Sequence, residues 1–84
     1  MNNRQSQIVA AIFRRPTCKN LVFRDMENLL RSLGCEIIEG DGSRVGFKKG
    51  SLRLDMHRPH PGKEAKAYQV EAAREFLKNM GILP

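Results

Sequence analysis

The sequence predicts an α+β domain in which three short antiparallel strands carry helices on one face, with an extra helix in front. Three observations predict it. Apolar residues recur at helical spacing over 23–33 and again over 66–80. Between these stretches, apolar and polar residues alternate in short runs broken by glycine turns. The chain has 84 residues, 40% hydrophobic and 29% charged, which is enough for one core and too little for a second.

The first predicted element runs from Arg4 to Arg15, where Ile8, Ala11 and Ile12 share a helical face flanked by Val9 and Phe13. Pro16 stops it, and Pro16-Thr17-Cys18-Lys19-Asn20 reads as a loop. Residues 1–19 are therefore expected to form a helical extension and linker, and residues 20–84 the main domain. This extension is expected either to append to the core or to serve as a docking arm. The second helix spans Phe23 to Leu33, with Met26, Leu29, Leu30 and Leu33 on its buried face and Gly34 as its left-handed stop.

Three strands follow: Cys35–Glu39, Ser43–Lys48 and Ser51 to Met56 or His57. Gly40-Asp41-Gly42 turns the chain between the first two. Lys49-Gly50 is expected to form a two-residue hairpin loop. Counting outward from it pairs Phe47 with Leu52, Val45 with Leu54, Gly46 with Arg53 and Arg44 with Asp55. One face of the hairpin then holds Val45, Phe47, Leu52, Leu54 and Met56. The other holds Arg44, Lys48, Arg53, Asp55 and His57. The last helix is expected from Lys66 to Met80, with Val70, Ala73, Phe76, Leu77 and Met80 inward and Gly81 as its cap. Without the first helix the order is αβββα, the order of double-stranded-RNA-binding domains, though one fold hosts many activities.

Charge speaks to partners. Fifteen Lys and Arg against nine Asp and Glu leave a net charge of +6, which favours polyanions and above all nucleic acid. No apolar run reaches the roughly 20 residues of a membrane span, and the N-terminus has no signal-peptide block, so a cytoplasmic protein without membrane contact is expected. Cys18 and Cys35, far apart and outside any Cys-x-x-Cys spacing, read as free thiols. There is no internal repeat.

Chemistry concentrates in His57-Arg58-Pro59-His60-Pro61-Gly62-Lys63. An imidazole moves protons near neutral pH, while Arg and Lys hold phosphate. His57 and His60 are the candidate catalytic residues, as general acid and base for attack of a 2′-hydroxyl on its neighbouring phosphorus. For His57 the competing reading is a surface histidine closing a strand, and for His60 a residue that merely serves a Pro-x-Pro turn. Asp55 is placed to orient the His57 ring or to pair with Arg44. Arg44, Lys48, Arg53, Arg58 and Lys63 are the candidate phosphate-binding residues. His57-x-x-His60 lacks further ligands at zinc spacing, so no metal or cofactor is expected. Gly40-Asp41-Gly42-Ser43 lacks the Lys and the length of a phosphate-binding P-loop, and Ser43 has no histidine partner in its local sequence.

From about Val22 to Leu83 the chain resembles the HicA family of bacterial toxins. The resemblance rests on the helix ending Leu33-Gly34-Cys35, the strand Gly42-Ser43-x-x-x-Phe47, the segment Pro59-His60-x-x-Lys63-Glu64 and the close Met80-Gly81-Ile82. It implies a double-stranded-RNA-binding-like fold, mRNA interferase activity and a HicB-like antitoxin as partner. It also exposes a departure, since the family usually carries its catalytic histidine directly after Gly-Ser, where this chain has Arg44. An arginine stays protonated at neutral pH and is no general base. The resemblance thus implies a metal-independent endoribonuclease toxin in which His57 or His60 has taken over proton transfer. The alternatives are an RNA-binding module that has lost catalysis, or a protein-interaction domain using its basic face. Homodimers and hetero-oligomers with the antitoxin are both compatible with it.

Overall fold

A computed structural model describes residues 1–84. The elements are α1 (Asn3–Phe13), α2 (Phe23–Ser32), β1 (Glu36–Glu39), β2 (Arg44–Lys49), β3 (Leu52–His57) and α3 (Ala67–Asn79). The sheet is antiparallel with strand order β1-β2-β3, so the αβββα order and the extra leading helix are both present. No helix is long and apolar enough to cross a membrane.

A capping box starts α1: Asn2 Oδ1 accepts from the Gln5 backbone N–H at 2.8 Å, and Gln5 Oε1 accepts from that of Asn2 at 2.9 Å. The helix ends at Phe13, short of the expected Arg15, because Arg14 is already extended and Pro16 disfavours a helical Arg15. Ile8, Val9 and Ile12 are buried in the same cluster as α2 and α3. Arg74 of α3, only 4% exposed, fastens this end. Its Nε donates to the Ile12 carbonyl at 3.0 Å, and its Nη2 to the Arg14 carbonyl and Thr17 Oγ1 at 3.2 and 3.3 Å. A cation placed on the last carbonyls of a helix satisfies orphan acceptors and meets the negative end of the dipole.

Along α2, Met26, Leu29 and Leu30 are buried and Leu33 half-buried. Gly34, at φ +93°, turns the chain into β1. The hairpin differs from its expected register. Lys49 pairs with Leu52, so the loop is Gly50-Ser51, with Gly50 at φ +59° as its first residue. Phe47 therefore faces Leu54, Val45 faces Met56, Gly46 faces Asp55 and Arg44 faces His57. The slip moves every pairing by two residues, so each side chain keeps the face that parity assigned it.

The start of α3 is also later than the Pro-rich segment. Lys63–Ala65 first runs beside Leu21–Phe23: Phe23 N–H donates to the Lys63 carbonyl at 2.9 Å and Ala65 N–H to the Leu21 carbonyl at 2.7 Å. Only after this short ladder does the helix begin, with Gln69 Oε1 accepting from the Lys66 N–H at 2.9 Å. Val70, Ala73, Phe76 and Leu77 then close the core over Val45, Phe47 and Met56. Cys18 and Cys35 are buried free thiols, and burial pushes the Cys35 thiol up, with nearby Lys49 opposing.

Candidate functional site

Strand parity leaves one sheet face uncovered by helices. It carries Glu36 and Ile38 from β1, Arg44, Gly46 and Lys48 from β2, and Arg53, Asp55 and His57 from β3. The middle of this face is a salt bridge. Arg53 Nε lies 3.1 Å from both Asp55 oxygens and Nη2 lies 3.0 Å from Oδ1. Gly46 makes room for it: a Cβ there would stand 2.8 Å from Asp55 Oδ1 and 2.9 Å from Arg53 Nη2. The Arg53 hydrogen bond holds the Asp55 carboxyl below its ordinary range, and the charges of Arg53 and Arg44 add to this. Asp55 thus pairs with Arg53 and neither bridges to Arg44 nor orients His57.

Toward one end of the face stand Arg44 and His57, direct cross-strand partners. Arg58 N–H donates to the Ser43 carbonyl at 2.8 Å, so the adjacent pair, Arg44 and His57, is of the non-hydrogen-bonded kind. In such a pair the side chains stand closest, with Cβ atoms about 4.5–5.5 Å apart. Both side chains are exposed. Ser43 Oγ lies 3.1 Å from His57 Nδ1. The His57 carbonyl accepts from Gln69 Nε2 at 2.7 Å, and Gln69 is only 1% exposed. The imidazole is therefore held at the ring by one residue and at the backbone by another.

Lys48, near the opposite end of the face, is exposed and free of any ion pair. Arg58 turns the other way and binds two carboxylates. Its Nε and Nη2 donate to Glu27 at 3.0 and 3.1 Å, and its Nη1 and Nη2 to Glu39 at 2.7 and 2.9 Å. These bonds raise the Arg58 pKa and lower that of Glu39. They also tie α2, β1 and the end of β3 together. Lys63 is exposed and lines a cavity of about 190 Å³ with Arg24, Arg58 and Glu27, at the start of α2. His60 is exposed in the intervening loop and makes no side-chain hydrogen bond.

Of the residues singled out from sequence, the structure gathers Arg44, Lys48, Arg53 and His57 on one face. Arg58 and Lys63 stand at the α2 cleft, and no hydrogen bond joins His60 to His57. Ser43 and Gln69 were missed. Ser43 opens the expected strand, but parity assigns it to the face opposite His57, and its partner is fourteen residues away. Gln69 did carry a signal, because a polar side chain four residues before inward-facing Ala73 sits on the buried face and must find a partner there. No three His, Cys, Asp or Glu side chains converge as a metal site.

A family model described as the HicA toxin of bacterial toxin–antitoxin systems matches residues 23–82. Among curated proteins and solved structures, none matches the chain significantly. The matched span takes in α2, the whole sheet and α3.

Proposed function

The chain belongs to the HicA toxin family, the toxin half of bacterial toxin–antitoxin pairs, and from that membership we propose that it is a metal-independent endoribonuclease acting on mRNA. The observation that carries the reading is the cross-strand pair of Arg44 and His57 on the open face. Arg44 stands where the family's histidine is expected after Gly-Ser, and an imidazole stands directly across the ladder from it. The proton-transfer group has moved by one strand, and a guanidinium has taken its former place.

In this reading Nε2 of His57 removes the proton from a ribose 2′-hydroxyl. The 2′-oxygen attacks the adjacent phosphorus and the P–O5′ bond breaks. His60, as imidazolium, protonates the departing 5′-oxygen. Arg44 binds the non-bridging oxygens as negative charge builds on them, a task suited to a fork of fixed N–H donors. Lys48 and Lys63, exposed and without carboxylate partners, hold flanking phosphates. Arg53 and Arg58 start out bound to carboxylates, so they contribute to RNA only by exchanging those partners. A HicB-like antitoxin would silence the enzyme by covering the same face.

Incubation of purified protein with RNA in EDTA tests this. Fragments ending in 2′,3′-cyclic phosphate and beginning in 5′-hydroxyl are expected, with the rate falling about 10²-fold or more in His57→Ala. Unchanged cleavage by the His57→Ala/His60→Ala double variant would overturn the mechanism. The absence of the family's histidine favours one rival, a binding module of the same fold. That rival leaves RNA intact and binds it with an affinity that falls steeply as salt rises.

A further inference from the structure

We propose that Ser43 is the positioning residue of His57, holding Nδ1 so that Nε2 is the nitrogen turned toward substrate. The inference rests on His57 as the proton carrier and adds what orients it. The contact is the 3.1 Å approach of Ser43 Oγ to His57 Nδ1. Both ends of it are fixed by backbone bonds. Ser43 sits in the turn closed by the Arg44 N–H to Asp41 carbonyl bond at 3.2 Å, and its own carbonyl accepts from Arg58 N–H at 2.8 Å. His57 is pinned through its carbonyl by buried Gln69. A hydrogen bond between two anchored residues restrains the ring; one between two free surface side chains would not.

The chemistry of the partner matters as much as its place. The carboxylate that could have held this ring, Asp55, is occupied by three short contacts to Arg53. A hydroxyl remains, and a hydroxyl both donates and accepts. It accepts from Nδ1–H when the ring is an imidazolium. It accepts from Nδ1–H equally in the neutral tautomer, the one whose bare Nε2 can take the 2′-hydroxyl proton. Ser43 therefore keeps the ring in place before and after proton transfer without favouring the charged form as a carboxylate would. Unheld, the imidazole can turn about its Cβ–Cγ bond and present either nitrogen.

The test uses full-length protein with ¹⁵N-labelled histidine, in which ring-nitrogen resonances report tautomer and hydrogen bonding. The two histidines are told apart with His60→Ala. In Ser43→Ala the His57 ring resonances are expected to move, and kcat on RNA to fall on the order of 10- to 100-fold with KM within about twofold. Ser43→Thr, which keeps the hydroxyl, should restore both. His57 resonances in Ser43→Ala that superimpose on those of the wild type would overturn the proposal, whatever the activity. If no variant cleaves RNA and the resonances still move, the nuclease reading fails while the positioning role of Ser43 stands.

Discussion

The inward and outward faces of the sheet alternate along the same strands yet are held by different physics. On the inward face Val45, Phe47 and Met56 are 2%, 0% and 7% exposed, and any well-shaped apolar neighbour serves them. On the outward face Arg44, Arg53, Asp55 and His57 are exposed, and each depends on which polar atom it meets. Apolar burial is non-directional and adds up with area. An exposed ion pair is worth about 0–1 kcal/mol, so several pairings compete on nearly equal terms. The inward face thus supplies stability, and the outward face is left free to be arranged for binding and chemistry.

That division has a direct consequence for paired variants. Phe47→Ala should cost about 3–5 kcal/mol, as truncation of a fully enclosed aromatic does. Arg44→Ala, three residues earlier and on the other side, should stay within about 0.5 kcal/mol. Urea denaturation, with the slope checked for constancy, compares them. An Arg44→Ala midpoint as low as that of Phe47→Ala would break the contrast, because the outward face would then share in holding the fold.

Gly46 is the position where the two sets of rules meet. It points outward by parity, yet the Arg53–Asp55 pair covers it and leaves it buried. The atoms that an added Cβ would strike are the tips of exposed side chains, which can swing aside. Gly46→Ala should therefore change stability by less than about 1 kcal/mol, partly because alanine suits a strand interior better than glycine. The effect should appear instead at Asp55. Its carboxyl, held below the ordinary 3.8 by Arg53, should titrate closer to that value when followed by NMR. An unmoved Asp55 would show that the pair re-forms around the methyl group and that glycine is not what admits it.

The same contrast explains what could be read without coordinates. Parity and helical spacing placed Met26, Leu29, Leu30, Phe47, Val70 and Leu77 in the core, because burial depends only on periodicity. The hairpin register was missed by one loop residue, yet every side chain stayed on its face, because the error moved the pairing by two. Partner choice was not legible. Asp55 has Arg44, Arg53 and His57 within reach of its strand, and the pair that forms, with Arg53, lies over Gly46. Arg58 looked like a phosphate ligand because Glu27 and Glu39, thirty-one and nineteen residues away, carry no local sign of meeting it. Arg74 likewise carries no local sign that the end of α1, sixty-two residues away, lies on it.

The smallest expected effect sharpens the comparison at the rim, where the Arg58 bridge to Glu27 and Glu39 brings ionic contacts to the edge of the inward side. Glu39 is exposed, and its carboxyl lies below the ordinary 4.5 because Arg58 hydrogen-bonds to the charged form. A carboxyl whose folded value is depressed stabilises the fold above its unfolded value. That contribution fades as pH falls through the folded one. Glu39→Gln should therefore lower the urea midpoint slightly at pH 7, and the gap should close at an acid pH below the depressed folded value, where the wild-type carboxylate is protonated. Glu27 still engages Arg58 in the variant, which keeps the loss small. A gap of equal size at both pH values would mean that Glu39 works through packing, and the rim would then obey the inward face's rule.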